Sequence, residues 1–335
     1  MTAPFQAVLI TREDGVQKAA LTTLEREQLP PGAVTVAVEA SSLNYKDGLL
    51  LTGAIPLIQS YPMVPGIDLA GIVEQSEDPR WKPGDRVIAN GWGLGERHWG
   101  GYAGYARVHG DWLVKCPSAF TIAQAMAIGT AGYTAMLCVQ AIERHGVRPG
   151  DGEVLVTGSS GGVGSVAIAL LAGRGYRVAA ATGREEETPY LKALGASEVI
   201  ARSAFAAPGA PLQVERWAAA VDTAGSVTLA NICASLRYGG VVAATGIAQG
   251  TDFPATMFPL ALRGVTICGI DSVMVPQQVR KAAWSSLARK LDPALLDGMT
   301  SHVPLDQIIE RAPDILAGRI RGRIVVDITK RDLQG

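Results

Sequence analysis

The apolar run Glu153-Val154-Leu155-Val156 breaks into Thr157-Gly158-Ser159-Ser160-Gly161-Gly162-Val163-Gly164, and small residues at helical spacing follow over 165–171. A turn without side chains lets backbone N–H groups approach a phosphate, and the helix behind it points its positive end at the same charge. The chemistry such a turn serves is the binding of a dinucleotide pyrophosphate. Its spacing departs from G-x-G-x-x-G: Gly161 and Gly164 fill the second and third places, and Ser159 stands in the first. Taken alone, a loop of this kind also joins strands to helices with no ligand at all. Its context favours the ligand, because Arg177-Val178-Ala179-Ala180-Ala181-Thr182 reads as the second strand of a βαβ unit. Where NAD-binding chains end that strand in an acidic residue for the ribose hydroxyls, this one has Thr182-Gly183-Arg184. A hydroxyl, a bare backbone and a guanidinium suit a 2′-phosphate, so the expected cofactor is NADPH rather than NADH. Glu185, Glu186 and Glu187 leave two readings: one of them faces the ribose, or they form the first turn of the next helix, where the dipole favours them.

The elements that must position these groups are legible more coarsely. With 335 residues, 48% of them hydrophobic and 18% charged, the chain is long enough for two domains with full cores. Its net charge of −1, with both signs interspersed, suggests neither a nucleic-acid surface nor a polybasic membrane anchor. Cys116, Cys138, Cys233 and Cys268 form no C-x-x-C pair and read as buried free thiols, which fits a reducing cytoplasm. No basic stretch followed by a long apolar core opens the chain, and apolar runs such as 166–172 are too short to span a bilayer.

The first third reads as short strands at 7–10, 34–40, 70–74 and 86–89, separated by turns such as Pro30-Pro31-Gly32 and Lys82-Pro83-Gly84-Asp85. A helix over 122–139 follows, and Arg148-Pro149-Gly150-Asp151-Gly152 punctuates the entry to an alternating region. Strands are expected there at 154–157, 178–182, 198–201, 219–222, 241–245 and 265–270, with helices at 189–194 and 229–236 between them. Six such strands match two mononucleotide-binding halves, an α/β Rossmann fold with a doubly wound parallel sheet. A helix at 276–291 and a last strand at 324–328 are expected to return to the first unit, making it discontinuous. The expected division is 1–125 with 273–335, against 126–272.

Across nearly its whole length the chain resembles the zinc-independent medium-chain dehydrogenases/reductases of the quinone-oxidoreductase type, and among these the NADPH-dependent acrylyl-CoA reductases. The segments that carry the resemblance are Ser41-Ser42-Leu43-Asn44-Tyr45-Lys46-Asp47, Pro65-Gly66-Ile67-Asp68, the loop Gly91-Trp92-Gly93-Leu94-Gly95-Glu96-Arg97-His98-Trp99-Gly100-Gly101, Gly110-Asp111-Trp112-Leu113-Val114, Gly129-Thr130-Ala131-Gly132-Tyr133 and Asp271-Ser272-Val273-Met274. The resemblance implies a GroES-like, β-rich substrate domain, a Rossmann domain, a cleft between them and a homodimer. A zinc enzyme of this superfamily would place a Cys near Asn44 and a His soon after the Pro65-Gly66 turn, where this chain has Ile67-Asp68. No metal site is therefore expected. His98, His109, His145 and His302 have neither i,i+4 partners nor neighbouring cysteines, and read as satisfied surface or core residues.

Cofactor contacts implied by the resemblance are Ser160, Gly161, Gly162 and Val163 in the turn, Thr182, Gly183 and Arg184 after the second strand, and Tyr45. Arg202 ends the third strand as a second cation for the phosphate or as a solvated strand end. Ile247 and Ser272 follow later strands, and Gly318 is a further carry-over by its backbone. Tyr45 has two readings, a phenol that orients or donates at the nicotinamide, or an aromatic that shapes the pocket. Asn44 is either a donor to ribose or oxyanion or a turn residue; Lys46 and Asp47 pair with each other, or cap a helix. The run Arg319-Ile320-Arg321-Gly322-Arg323 helps hold CoA phosphates, covers the domain edge or is solvated surface.

Without zinc, rate must come from setting a hydride donor against an already polarised acceptor. An α,β-unsaturated CoA thioester is such an acceptor, and the leading expectation is reduction of acrylyl-CoA to propionyl-CoA. A quinone or small-enone reductase is the alternative enzyme, and a non-catalytic NADPH sensor the alternative of another class.

Overall fold

The computed structural model describes residues 3–328. Strands β1 (Phe5–Glu13) and β2 (Val16–Leu24) form a hairpin over the two-residue turn Asp14–Gly15. Strand β3 (Val34–Leu43) alternates β-branched residues, so Val34, Val36 and Val38 are all buried on one side. It leads into α1 (Tyr45–Thr52), which Asn44 and Asp47 start with a reciprocal capping box. Strands β4 (Asp68–Ser76), β5 (Arg86–Asn90), β6 (Tyr105–Val108) and β7 (Leu113–Lys115) follow before α2 (Ile122–His145).

Beyond α2 the chain alternates in parallel: β8 (Glu153–Val156), α3 (Gly162–Ala172), β9 (Arg177–Thr182), α4 (Thr188–Ala193), β10 (Glu198–Ala201), β11 (Trp217–Asp222), α5 (Ser226–Ser235), β12 (Leu236–Ala244), α6 (Phe258–Arg263) and β13 (Thr266–Gly269). The sheet order is β10-β9-β8-β11-β12-β13, two mononucleotide-binding halves meeting at β8 and β11. Its strands are small and apolar on both faces: Val154, Leu155 and Val156 are fully buried, as are Ala219, Ala220 and Val221. The chain then runs through α7 (Gln277–Lys290), α8 (Pro293–Gly298), β14 (Thr300–Pro304) and α9 (Ile308–Leu316) to β15 (Arg323–Asp327). Strand β15 pairs antiparallel with β3, completing a seven-stranded GroES-like sheet in the order β14-β15-β3-β4-β5-β7, with β6 also on β3.

Among the described residues two compact units result, one of 3–130, 273–289 and 296–328, the other of 131–272 and 290–295. The division comes at Thr130, five residues later than the 125/126 boundary expected from the sequence, and 290–295 group with the nucleotide fold. A backbone break inside α2 accounts for the shift. At Gly129 φ is 48° and ψ is −157°, so the first turns of α2 end there and a new run begins. By length and composition α2 resembles a membrane span, yet 83% of its apolar window is buried in the protein, as in a core helix.

Gly129 also admits no side chain. A Cβ there would lie 2.6 Å from Asp68 Oδ2, 2.7 Å from Ser42 Oγ and 2.8 Å from Arg323 Nη2, in a conformation that L side chains rarely adopt. We expect Gly129→Ala to cost about 3 kcal/mol or more through strain and displaced buried charges. Scanning calorimetry checks this, and an unchanged melting temperature would refute it.

Candidate active site

In the unit built on β3, the polar centre is Asp68 at the start of β4. Its carboxylate accepts five hydrogen bonds: from Ser42 Oγ (2.5 Å), Asn44 Nδ2 (2.9 Å), Asn90 Nδ2 (2.6 Å), the Thr130 N–H (2.8 Å) and Thr130 Oγ1 (2.5 Å). The Thr130 amide is one that the break at Gly129 releases from the helix ladder, so Asp68 serves as its acceptor. Arg323 is fully buried beside this group and donates Nε to the Ala127 carbonyl (2.7 Å), another group freed by the break. Burial pulls the Arg323 pKa down, while Asp68 and Asp47 push it up.

Asp47 is fully buried as well. Its Oδ1 accepts the Ile67 N–H (2.9 Å), and its Oδ2 accepts the N–H (2.9 Å) and Nδ2 (3.1 Å) of Asn44. Burial first, and the Asp68 charge second, raise its pKa to about 7 against those N–H donors. Of the two readings of Lys46 and Asp47, capping holds for Asp47, which closes the capping box of α1, while Lys46 pairs with Glu96 of the glycine-rich loop at 2.6 Å. The reason is helical direction: Asp47 points back at the cap, and Lys46 one residue earlier faces outward.

Asn44 is 7% exposed, and its amide hydrogens are spent on Ser42, Asp47 and Asp68. Of the two readings of Asn44, donor to ribose or oxyanion or turn residue, these contacts favour the turn: it caps α1 and braces both carboxylates. Tyr45, the first residue of α1, is 41% exposed above this buried network. Gly318 lies in the same unit, in left-handed conformation just past α9, its N–H donating to the Ile315 carbonyl (3.1 Å). The basic run divides: Arg323 is buried, which corrects a wholly solvated reading, and Arg319 pairs with Asp314.

The nucleotide fold gathers a second group. Gly161 caps α3, and Gly161, Gly162 and Val163 remain partly exposed at its N-terminus. A Cβ on Gly164 would lie 2.4 Å from the Gly158 carbonyl oxygen, so only glycine lets the helix start this close to the turn. Ser160 Oγ accepts Arg184 Nη2 (2.8 Å) and Nε (3.2 Å), and lies 3.3 Å from Thr182 Oγ1. The Arg202 guanidinium carbon stands 2.9 Å from where a Gly183 Cβ would be, bringing a second cation to the same strand ends. Two guanidiniums and two hydroxyls on one short arc are the donor set for a phosphate monoester. Glu187 faces Arg184 at 3.9 Å, and Glu185–Glu187 form a short 3-10 turn before α4. Ile247 is exposed after β12 and Ser272 half-buried after β13, neither joined to this arc by a described contact.

The sequence reading missed the whole hub around Asp68. Pro65-Gly66-Ile67-Asp68 was visible as a segment, but Asn90, Thr130 and Arg323 carry no local signal of a shared partner. Among the described residues, no group of three or more His, Cys, Asp or Glu is placed to hold a metal ion. Cys116, Cys138 and Cys233 are buried free thiols and Cys268 is partly exposed.

The Asp47 shift has a pH consequence. A carboxyl whose folded pKa lies above its unfolded value near 4 contributes stability that is complete below that value and lost as pH rises through about 7. Melting temperature should therefore fall between pH 5 and 8. Asp47→Asn should be less stable throughout, since it loses an acceptor, but should fall less over that interval. Parallel profiles for the two proteins would remove Asp47 as the titrating group.

Residues 30–118 match the alcohol dehydrogenase GroES-like domain, and residues 162–289 the zinc-binding dehydrogenase family. The acrylyl-CoA reductase AcuI of Ruegeria pomeroyi is 49% identical over 97% of this chain and 99% of its own length. The putative quinone oxidoreductase YhfP of Bacillus subtilis is 42% identical over 98% of this chain and all of its own. The crystal structure of Escherichia coli YhdH with bound NADPH superposes with a TM-score of 0.95, at 49% identity, over 97% of this chain and all of that one. By end-to-end similarity in sequence and structure, the chain belongs to the family of the AcuI proteins, within the medium-chain dehydrogenases/reductases.

Proposed function

We propose that this protein is an NADPH-dependent reductase of acrylyl-CoA, yielding propionyl-CoA. The observation that carries this reading is the end-to-end match to the acrylyl-CoA reductase AcuI of Ruegeria pomeroyi. The residues fit the coenzyme. The bare start of α3 suits its pyrophosphate, and Ser160, Thr182, Arg184 and Arg202 suit its 2′-phosphate. When bound, the nicotinamide would supply a hydride to the β-carbon of the acceptor, and a proton taken up at the α-carbon would complete the reduction. As the hydride arrives, negative charge builds on the thioester oxygen, and a hydrogen-bond donor aimed there lowers the barrier. Tyr45 is the proposed donor or orienting group; Asn44 holds the first turn of α1 in place and does not touch the reacting atoms.

Metal independence is part of the same proposal. Ile67 has no donor atom, and the amide hydrogens of Asn44 point into the Asp68 and Asp47 carboxylates, leaving those oxygens served by N–H and O–H groups. A homodimer is supported by β13 standing last in its sheet among the described strands and by exposed Met257, Phe258 and Leu262 on and next to α6. Free thiols support a reducing compartment such as the cytoplasm.

NADPH oxidation measured with acrylyl-CoA, crotonyl-CoA and a quinone, with NADH as control, tests the reading. Preference for acrylyl-CoA is expected. The similarity to YhfP supports a quinone or small-enone reductase as the second reading, and faster turnover of the quinone would establish it instead. Arg184→Ala should raise the Kd for NADPH by about 10- to 100-fold, from losing a charge-assisted contact of about 1.5–3 kcal/mol, and leave NADH binding unchanged. Equal losses for both coenzymes would place the 2′-phosphate elsewhere. Tyr45→Phe should lower kcat by about tenfold or more, and unchanged turnover would leave Tyr45 as a wall of the pocket only.

A further inference from the structure

The glutamates that follow Arg184 do not share one environment. Glu185 and Glu186 are exposed, whereas the Glu187 side chain keeps only 15% of its surface. Glu187 closes the short 3-10 turn, its N–H donating to the Arg184 carbonyl at 3.1 Å, which brings its side chain back toward Arg184. Its Oε1 lies 3.9 Å from Arg184 Nη1. An acidic residue at a helix start is ordinarily placed there by the helix dipole or as a cap. Glu187 stands at the N-cap of α4, yet its side chain makes no capping hydrogen bond. The carboxylate is turned to the guanidinium instead.

Arg184 is thereby held on two sides. Its Nε and Nη2 donate to Ser160 Oγ, and Nη2 also to the Ser160 carbonyl at 3.3 Å, while Nη1 faces Glu187. The Arg184 side chain is itself only 21% exposed, so water and salt screen this pair less than one on open surface. An anion already facing that cation repels an arriving 2′-phosphate and takes part of the guanidinium's attraction. The ribose of NADH carries a hydroxyl at the same position, which a carboxylate accepts rather than repels. One side chain thus acts in opposite directions on the two coenzymes.

We propose that Glu187 limits the coenzyme specificity of this protein: its carboxylate competes with the 2′-phosphate for Arg184 and narrows the preference for NADPH over NADH. This rests on the coenzyme reading above, in which Arg184 receives the 2′-phosphate, and adds a residue that opposes it.

The test is calorimetric titration of NADPH and of NADH into the full-length protein, with wild type beside Glu187→Gln, Glu187→Thr and Arg184→Ala. Glu187→Gln keeps the shape of the side chain and removes its charge. It should lower the Kd for NADPH by about two- to fivefold, the range open to one partly screened ion pair, and leave the Kd for NADH unchanged or raised. Glu187→Thr should do the same, with melting temperature as the control for folding. The gain should shrink as salt is raised from about 0.05 M to about 0.5 M. A residue that only braced the turn would weaken both coenzymes when replaced, so a gain confined to NADPH is a result that bracing does not give. Unchanged or weaker NADPH binding by both Glu187 variants, or an equal gain for both coenzymes, overturns the proposal. Should that happen while Arg184→Ala still weakens NADPH, the coenzyme reading stands and only the role of Glu187 falls. If Arg184→Ala leaves NADPH binding unchanged, the coenzyme reading fails and the proposal with it.

Discussion

One buried carboxylate sets the geometry of the substrate-side unit. Asp68 is shielded from water, and an ion so placed is tolerable only when its oxygens are served by donors. Its five hydrogen bonds come from the end of β3, the cap of α1, the end of β5 and the restart of α2. Each of those segments must therefore arrive at one point in one register. The break at Gly129 follows from the same demand, since a continuous helix would keep the Thr130 N–H for itself.

That constraint governs what the neighbouring residues are free to do. Asn44 has the residue type of a catalytic donor, but its hydrogens are held by Ser42, Asp47 and Asp68. Tyr45, one position on, is carried by the same helix start and left exposed. A rigid polar base beneath a single exposed phenol is a sound design for positioning, because the base cannot relax without losing several hydrogen bonds together. Arg323 and Asp47 share this base, so the charge state of the hub is a collective property rather than that of one residue.

The proposed coenzyme cradle is organised differently. Its parts lie within a few residues of the ends of β8, β9 and β10, adjacent strands of one parallel sheet. Ser160 and Thr182 already orient Arg184 through short contacts, so the cationic arc is preformed. Preorganisation of this kind lowers the entropy lost on binding an anion.

The nucleotide-binding half was legible in the sequence because its signals are local. A glycine-rich turn, a strand ending in Thr182-Gly183-Arg184 and alternation of strand with helix each lie within a short window, and parallel strands bury both faces so their apolar character is plain. Six strands and their sheet class followed. The hub around Asp68 was not legible: Asn44 stood between a donor and a turn residue, and Arg323 lay in a run read as holding phosphates, covering the domain edge or solvated. Their partners lie far along the chain: Arg323 reaches the carbonyls of Leu43 and Ala127, and Thr130 of α2 meets Asp68 across 62 residues that no window contains. Propensity and spacing name residues capable of chemistry; only the tertiary fold decides which of their hydrogen bonds are already spent.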